Sequence, residues 1–233
     1  MDPISFVRER SEVQVNEFVR SVYNWMAVGL ALTGIIAFYV SKNLDLLRII
    51  ANPLIQIVFF VVIIGLVVSI SGMINRMSAG TATGLFVVYS SLMGVFLAPI
   101  FIVYTQASIA STFFICAGTF VGCSIYGWTT KRDLTSLGGF FMMGLIGIII
   151  ASLVNIFIQS SAMYYIIGYI GVIVFVGLTA YDTQKLRNMA LTQPAGLDGE
   201  VIKKGAILGA LSLYLDFINL FLMLLRIFGQ SRD

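Results

Sequence analysis

The chain has no histidine, only two cysteines and four prolines, and 11% charged residues over 233 positions. Without histidine, His-ligated zinc and haem centres are excluded. So are Ser-His-Asp hydrolysis and the side chain that ordinarily changes charge near neutral pH. The two cysteines, Cys116 and Cys123, fall on one predicted helix about 10 Å apart along its axis. That is too far for a mutual disulfide, so both are expected to pack as small apolar residues. Soluble domains carry about 25% charged residues. Less than half that share, with 59% hydrophobic residues and a mean hydropathy of +0.98, describes an integral membrane protein. A net charge of +3 on so few charges points to loop asymmetry and a bilayer partner. It does not suggest a nucleic-acid surface.

The charge-free stretches locate the spans. As one helix, residues 77–130 would be roughly 80 Å long against a hydrocarbon core of about 30 Å. They must therefore break, most naturally at Tyr104-Thr-Gln-Ala-Ser108. Residues 134–181 divide likewise at Gln159-Ser-Ser-Ala162. Seven spans result, over 21–41, 52–74, 80–103, 109–129, 136–157, 164–185 and 204–227. Asn52 and Pro53 read as N-cap and first helical residue of the second, and Pro99 should kink the third. Residues 11–20 are weakly amphipathic and read as a frayed terminus. Asp133 reads as a helix N-cap, and 187–203, with Pro194, Gly196 and Gly199, as the longest loop. The fold class is thus all-α and membrane-embedded. Residues 1–20 form a short cytoplasmic segment, 21–229 a single membrane domain and 230–233 a tail. The first apolar run begins at Ser21 and lacks an Ala-x-Ala exit, so it reads as a span and not a cleaved leader. No internal repeat suggests an inverted-repeat transporter.

With the N-terminus inside, ten basic residues share one side: Arg8, Arg10, Arg20, Arg76, Lys131, Arg132, Lys185, Arg187, Lys203 and Lys204. Lys42, Arg48, Arg226 and Arg232 remain on the other, which gives N-in and C-out by the positive-inside rule. Trp25 and Trp128 then both fall at the inner interface.

One carboxylate interrupts the last span. Asp216 stands in the otherwise apolar segment Gly205 to Leu225, where an ionised acid costs about 3 kcal/mol or more on insertion. Gly205, Gly209, Ser212, Asp216, Asn219, Met223 and Arg226 follow by steps of four and three and so share one stripe. A helix of this kind turns its stripe to other helices; a packing seam with one satisfied acid is the plainer reading, but an acid inside a span ordinarily marks a functional site. In the sixth span, Gly168, Gly171, Phe175, Thr179 and Asp182 share a face. Alone, Asp182 could be an interfacial acid paired with Lys185. Beside Asp216 it could share a proton. Arg76 ends the second span at the inner face, where a contact with Asp182 and a snorkelling anchor are equally open.

Three segments carry a resemblance: Ala180-Tyr-Asp-Thr-Gln184, Ala210-Leu-Ser-Leu-Tyr-Leu-Asp-Phe-Ile-Asn-Leu-Phe221 and Leu225-Arg-Ile-Phe-Gly229. Together with the seven spans and short termini they resemble the transmembrane Bax inhibitor motif proteins, especially the bacterial YetJ-like members. The resemblance implies six helices around a central seventh, in a bacterial inner membrane. It also implies a pH-sensitive calcium leak gated by an aspartate pair with an arginine latch, roles that map onto Asp182, Asp216 and Arg76. Ser212 and Asn219 are then candidate pore-lining residues. Asp182 and Asp216 would be transient calcium ligands, since calcium takes hard oxygen donors.

That reading makes the protein no enzyme, with no resident cofactor and calcium as the permeant ion. Two alternatives compete with it. An intramembrane aspartyl protease would also use a proton-sharing acid pair, but here the second acid follows Leu213-Tyr-Leu215, not Gly-x-Gly. The Pro-Ala-Leu element of such enzymes is also missing, Pro194-Ala-Gly196 lying in a loop. A regulatory scaffold acting through membrane partners would leave the stripe purely structural.

Overall fold

Each long charge-free stretch breaks at the residues that cap best. The computed structural model describes residues 3–192 and 198–232. Its helices are α1 (Pro3–Ser41), α2 (Leu44–Ile50), α3 (Pro53–Met73), α4 (Ala79–Leu97) and α5 (Ile100–Val103), followed by α6 (Gln106–Thr129), α7 (Thr135–Ile158), α8 (Ser161–Thr192) and α9 (Gly199–Phe228). A 3-10 turn, Ile74–Arg76, follows α3. Asn52 caps α3 through the Leu54 N–H, with Pro53 at the first helical position. Thr105 caps α6 through the Ser108 N–H. Gln159, with φ 53°, ends α7 in the left-handed region. Pro99 does more than kink the third span. It has no N–H to offer the Val95 carbonyl, which accepts from the Ala98 N–H at 3.2 Å, and the helix ends there.

Among the described residues, seven helices are long and apolar enough to cross a membrane: Val15–Ser41, Pro53–Arg76, Ala79–Val103, Gln106–Thr129, Thr135–Ile158, Ser161–Thr192 and Gly199–Phe228. This is the expected number. Two expectations fail at the ends. Residues 11–20 are not frayed but lie within α1, because Val15, Phe18, Val22 and Met26 recur at helical spacing and are buried. The segment 187–203 is not one long loop either, since α8 continues through Thr192 and α9 begins at Gly199. Pro194 and Gly196 lie outside the described residues. At ~1.5 Å per residue, α8 and α9 exceed the hydrocarbon core by several turns, which places Lys185, Arg187, Lys203 and Lys204 on helix.

Two compact units divide the chain. The first comprises Met1–Val103 and Asn188–Tyr214, where α1 packs on α4. An added Cβ on Gly94 would stand 2.7 Å from the Thr33 carbonyl oxygen, so only glycine lets the two backbones approach this closely. The Thr33 hydroxyl donates to the Ser90 carbonyl at 2.8 Å, and the Tyr214 ring lies edge-on to Tyr89 and Phe86. At one end, Lys204 Nζ donates to the Met77 carbonyl and Glu200 accepts from the Ala79 N–H. Lys204 thus lies beside the residue that follows Arg76, and charge had assigned Lys204 and Arg76 to the same side.

The second unit comprises Tyr104–Arg187 and Leu215–Asp233. On α6 the buried face reads Ser108, Thr112, Cys116, Phe120, Ser124 and Gly127, a near-perfect step of four. Phe217 of α9 packs between Phe113 and Phe120, and its carbonyl accepts a weak bond from Cys116 Sγ at 3.6 Å. Both cysteines are free thiols, Cys116 buried and Cys123 half-buried. At the far end, Thr105 N–H donates to the Gln230 carbonyl and Gln230 N–H to Ser108 Oγ, tying the C-terminal residues to the start of α6.

Candidate functional site

The face of α8 read from the sequence is the one that packs on α9 in the second unit. Gly168 faces Arg226 and Ile227, and Gly171 faces Met223. Phe175 and Thr179 are buried behind them, with the Thr179 hydroxyl donating to the Phe175 carbonyl at 2.7 Å. Further along this face the Asp182 carboxyl meets that of Asp216, and the two side chains are hydrogen-bonded to each other. Asp216 is 5% exposed, whereas Asp182 is half-buried. Sequence position places Asp216 about two turns deeper than Asp182 from the helix ends, yet the packing of α8 on α9 brings them together.

Two ionised carboxyls have only acceptors. In that state Asp216 Oδ2 is a buried oxygen without a partner among the described residues, and a hydrogen bond between the groups requires a proton on one of them. The pair therefore holds its proton jointly, and Lys185, one turn on along α8, is the cation acting on Asp182.

The remaining candidates are placed as follows. Ser212 and Asn219, one turn either side of Asp216 on α9, are half-buried, and the Asn219 amide donates to the Leu215 carbonyl at 2.8 Å. Arg76, at the end of the 3-10 turn in the first unit, is exposed and has no ion pair among the described residues. Arg226, last of the stripe, stacks on the Tyr164 ring at 4.9 Å, and Tyr164 shares a 2.7 Å hydrogen bond with Tyr104. Among the described residues no three acidic, cysteine or histidine side chains gather as a metal site. A cation at the pair would therefore need further oxygens. Asp133 is not the N-cap of α7, which is Leu134; it stands one residue earlier and accepts from the Thr135 N–H at 2.9 Å, and its hydrogen bonds to Thr135 hold its carboxyl below the usual range.

Sequence reading missed two supports of the site. Gln184, two residues past Asp182, accepts from the Leu134 N–H and donates to the Arg132 carbonyl, both at 2.8 Å. Thr183 donates to Ser124 Oγ at 3.4 Å. Together they anchor the α8 segment that carries Asp182. The available signal was a run of polar side chains, Asp182-Thr-Gln184, that continues where a span was expected to end. Tyr214, two residues before Asp216, was also missed. Its hydroxyl lies 2.6 Å from that of Thr33, and its signal was a polar tip in a span otherwise rich in leucine.

Residues 15–233 match the family model described as "Inhibitor of apoptosis-promoting Bax1". The chain is 51% identical over 229 residues to the "Inner membrane protein YbhL" of Escherichia coli K12, covering 98% of this chain and 97% of that one. It is 46% identical over 233 residues to a protein of Borreliella burgdorferi, covering 99% of each. A membrane protein of Streptococcus pyogenes serotype M6 is 36% identical over 225 residues, covering 95% of this chain and 96% of that one.

Proposed function

The chain belongs to the Bax inhibitor-like family of membrane proteins, and from that premise we propose that it is a proton-regulated cation leak with calcium as its permeant ion. One observation carries this reading: the hydrogen bond between the Asp182 and Asp216 carboxyls within two membrane spans. A pair in one hydrogen bond responds to protons as a unit, and its oxygens are of the kind calcium takes. Ser212 and Asn219 are the proposed lining residues, a role their half-burial supports. The proposed setting is a bacterial inner membrane, as in the name of the Escherichia coli relative, with the N-terminus inside and α9 at the centre of the bundle. Supporting that last point, 72% of the apolar window of α9 is buried, against 6% for α7.

The gate follows from the charge. Arg76 is the proposed latch, closing the inner end by pairing with ionised Asp182. Acidification neutralises Asp182 and releases it. Neutralisation also weakens the attraction for calcium, but a closed gate passes nothing whatever the local potential, so release dominates. Calcium influx into liposomes containing the purified protein and an entrapped indicator tests this. Influx should rise as the pH is lowered from about 8 to about 6, because protonation of the pair releases the latch. Liposomes that stay tight at every pH would leave the regulatory scaffold in its place. Cleavage of a transmembrane peptide substrate would instead identify a protease.

A further inference from the structure

A crevice of about 320 Å³ opens in the second unit among α6, α7 and α8, lined by Gly122, Cys123, Leu137, Phe141, Val176 and Gly177. Its shape comes from two glycines. A Cβ on Gly122 would have nothing within 4 Å, so the α6 wall is vacant there. A Cβ on Gly177 would overlap the Phe141 ring, so Phe141 leans into the space a side chain on α8 would take. The remaining walls are almost wholly hydrocarbon, with Ala180 and buried Leu134 at one end. In a bilayer, lipid tails are the solvent for such a surface.

The polar end of the crevice is cationic. Leu134 closes it, and Lys131 and Arg132, both exposed, stand three and two residues before Leu134. Gln184 fastens this turn to α8 by its two hydrogen bonds to Leu134 and Arg132. Lys185 follows on α8, and the Arg187 guanidinium lies 6.0 Å from the Trp128 ring. Asp133 is the acid of the turn, committed to the Thr135 N–H. Lys131 and Arg132 thus stand beside Asp133 in the turn that closes the crevice, Arg187 lies near Trp128 and Lys185 is engaged with Asp182, while Tyr126 is 49% exposed and Trp128 half-buried. Aromatic side chains of this kind sit at the headgroup level, and basic clusters between spans attract anionic headgroups.

We propose that this crevice binds an anionic glycerophospholipid, one acyl chain lying between α6, α7 and α8 and its phosphate on Lys131 and Arg132. The site is independent of the proposed leak.

Trp25 and Trp128 are the two tryptophans, so Trp25→Phe leaves Trp128 at the mouth as a single reporter. The variant is reconstituted in phosphatidylcholine vesicles with a low mole fraction of either phosphatidylglycerol or phosphatidylcholine brominated near the glycerol end of the chain. Brominated phosphatidylglycerol should quench Trp128 roughly threefold or more over phosphatidylcholine, as an attracted anionic lipid would, and the quenching should saturate. Lys131→Gln with Arg132→Gln, at exposed positions that do not threaten folding, should make the two lipids equal. Gly122→Phe fills the crevice from its vacant wall and should remove the saturable component. Equal quenching in the parent overturns the proposal. Preference surviving the charge changes overturns the headgroup assignment, and saturable quenching in well-folded Gly122→Phe protein overturns the crevice.

Discussion

The hydroxyls of Thr33 and Tyr214 lie 2.6 Å apart, one on the first span and one on the last, and both residues are almost wholly buried. Thr33 also engages the Ser90 carbonyl, while the neighbouring Tyr89 hydroxyl is buried without a partner among the described residues. Two tyrosines in one cluster therefore predict opposite responses. Tyr214→Phe should lower stability by about 1 kcal/mol, the usual net worth of a buried hydrogen bond. Tyr89→Phe should be neutral or stabilising, because it deletes a polar atom that has no partner. Thermal unfolding midpoints in detergent measure both. Equal losses would show that the bond between Thr33 and Tyr214 contributes nothing.

The acid pair predicts a pH response. Asp216→Asn and Asp182→Asn each remove the carboxyl–carboxyl hydrogen bond, so calcium flux in liposomes should lose most of its dependence on pH. Profiles in both variants that overlay the parent would separate the pair from the gate.

Loss of the latch should mimic acid. Arg76→Ala should leak at about pH 8 as the parent does at about pH 6, and Asp182→Asn should leak likewise. A two-state gate shifts tenfold for each ~1.4 kcal/mol of lost interaction, so a rise of tenfold or more is expected. Folded Arg76→Ala protein that stays tight at the higher pH would make Arg76 an interfacial anchor.

Gln184 joins α8 to the turn before α7. Gln184→Ala strands the Leu134 N–H, on a residue that is 4% exposed, and should cost about 1–3 kcal/mol. The unfolding midpoints of the parent and the variant measure the loss, and an unchanged midpoint would contradict the assignment.

Two glycines on α6 should differ sharply. A Cβ on Gly127 would overlap the Ala180 carbonyl, whereas one on Gly122 meets nothing. Gly127→Ala should therefore destabilise by about 1–3 kcal/mol through overpacking, with Gly122→Ala near neutral. Matching midpoints for the two would mean that α6 and α8 are not in backbone contact.

How much was legible differs between fold and site. Span number, the breaks at Thr105 and Gln159, the cap at Asn52 and the interruption at Pro99 were all readable. Each follows from local chemistry: a missing N–H, a side-chain oxygen placed for capping, or apolar runs measured against a bilayer. Helix ends were not, because Phe18 and Val22 extend α1 by packing and α8 continues past Lys185 to Thr192. A charge marks where the hydrophobic core ends, but it does not stop a helix.

By itself the sequence determined an all-helical membrane protein of seven spans, and it placed Asp182 and Asp216 on helix faces lined with small residues. Helical periodicity and the cost of burying charge in hydrocarbon suffice for that. Only the tertiary structure decided that the two carboxyls meet, that Gln184 anchors the segment beside them and that Tyr214 reaches Thr33. A contact between residues far apart in the chain depends on how far one helix slides past another. That register is fixed by where glycines let backbones close and aromatic rings hold them apart, which one-dimensional spacing does not encode.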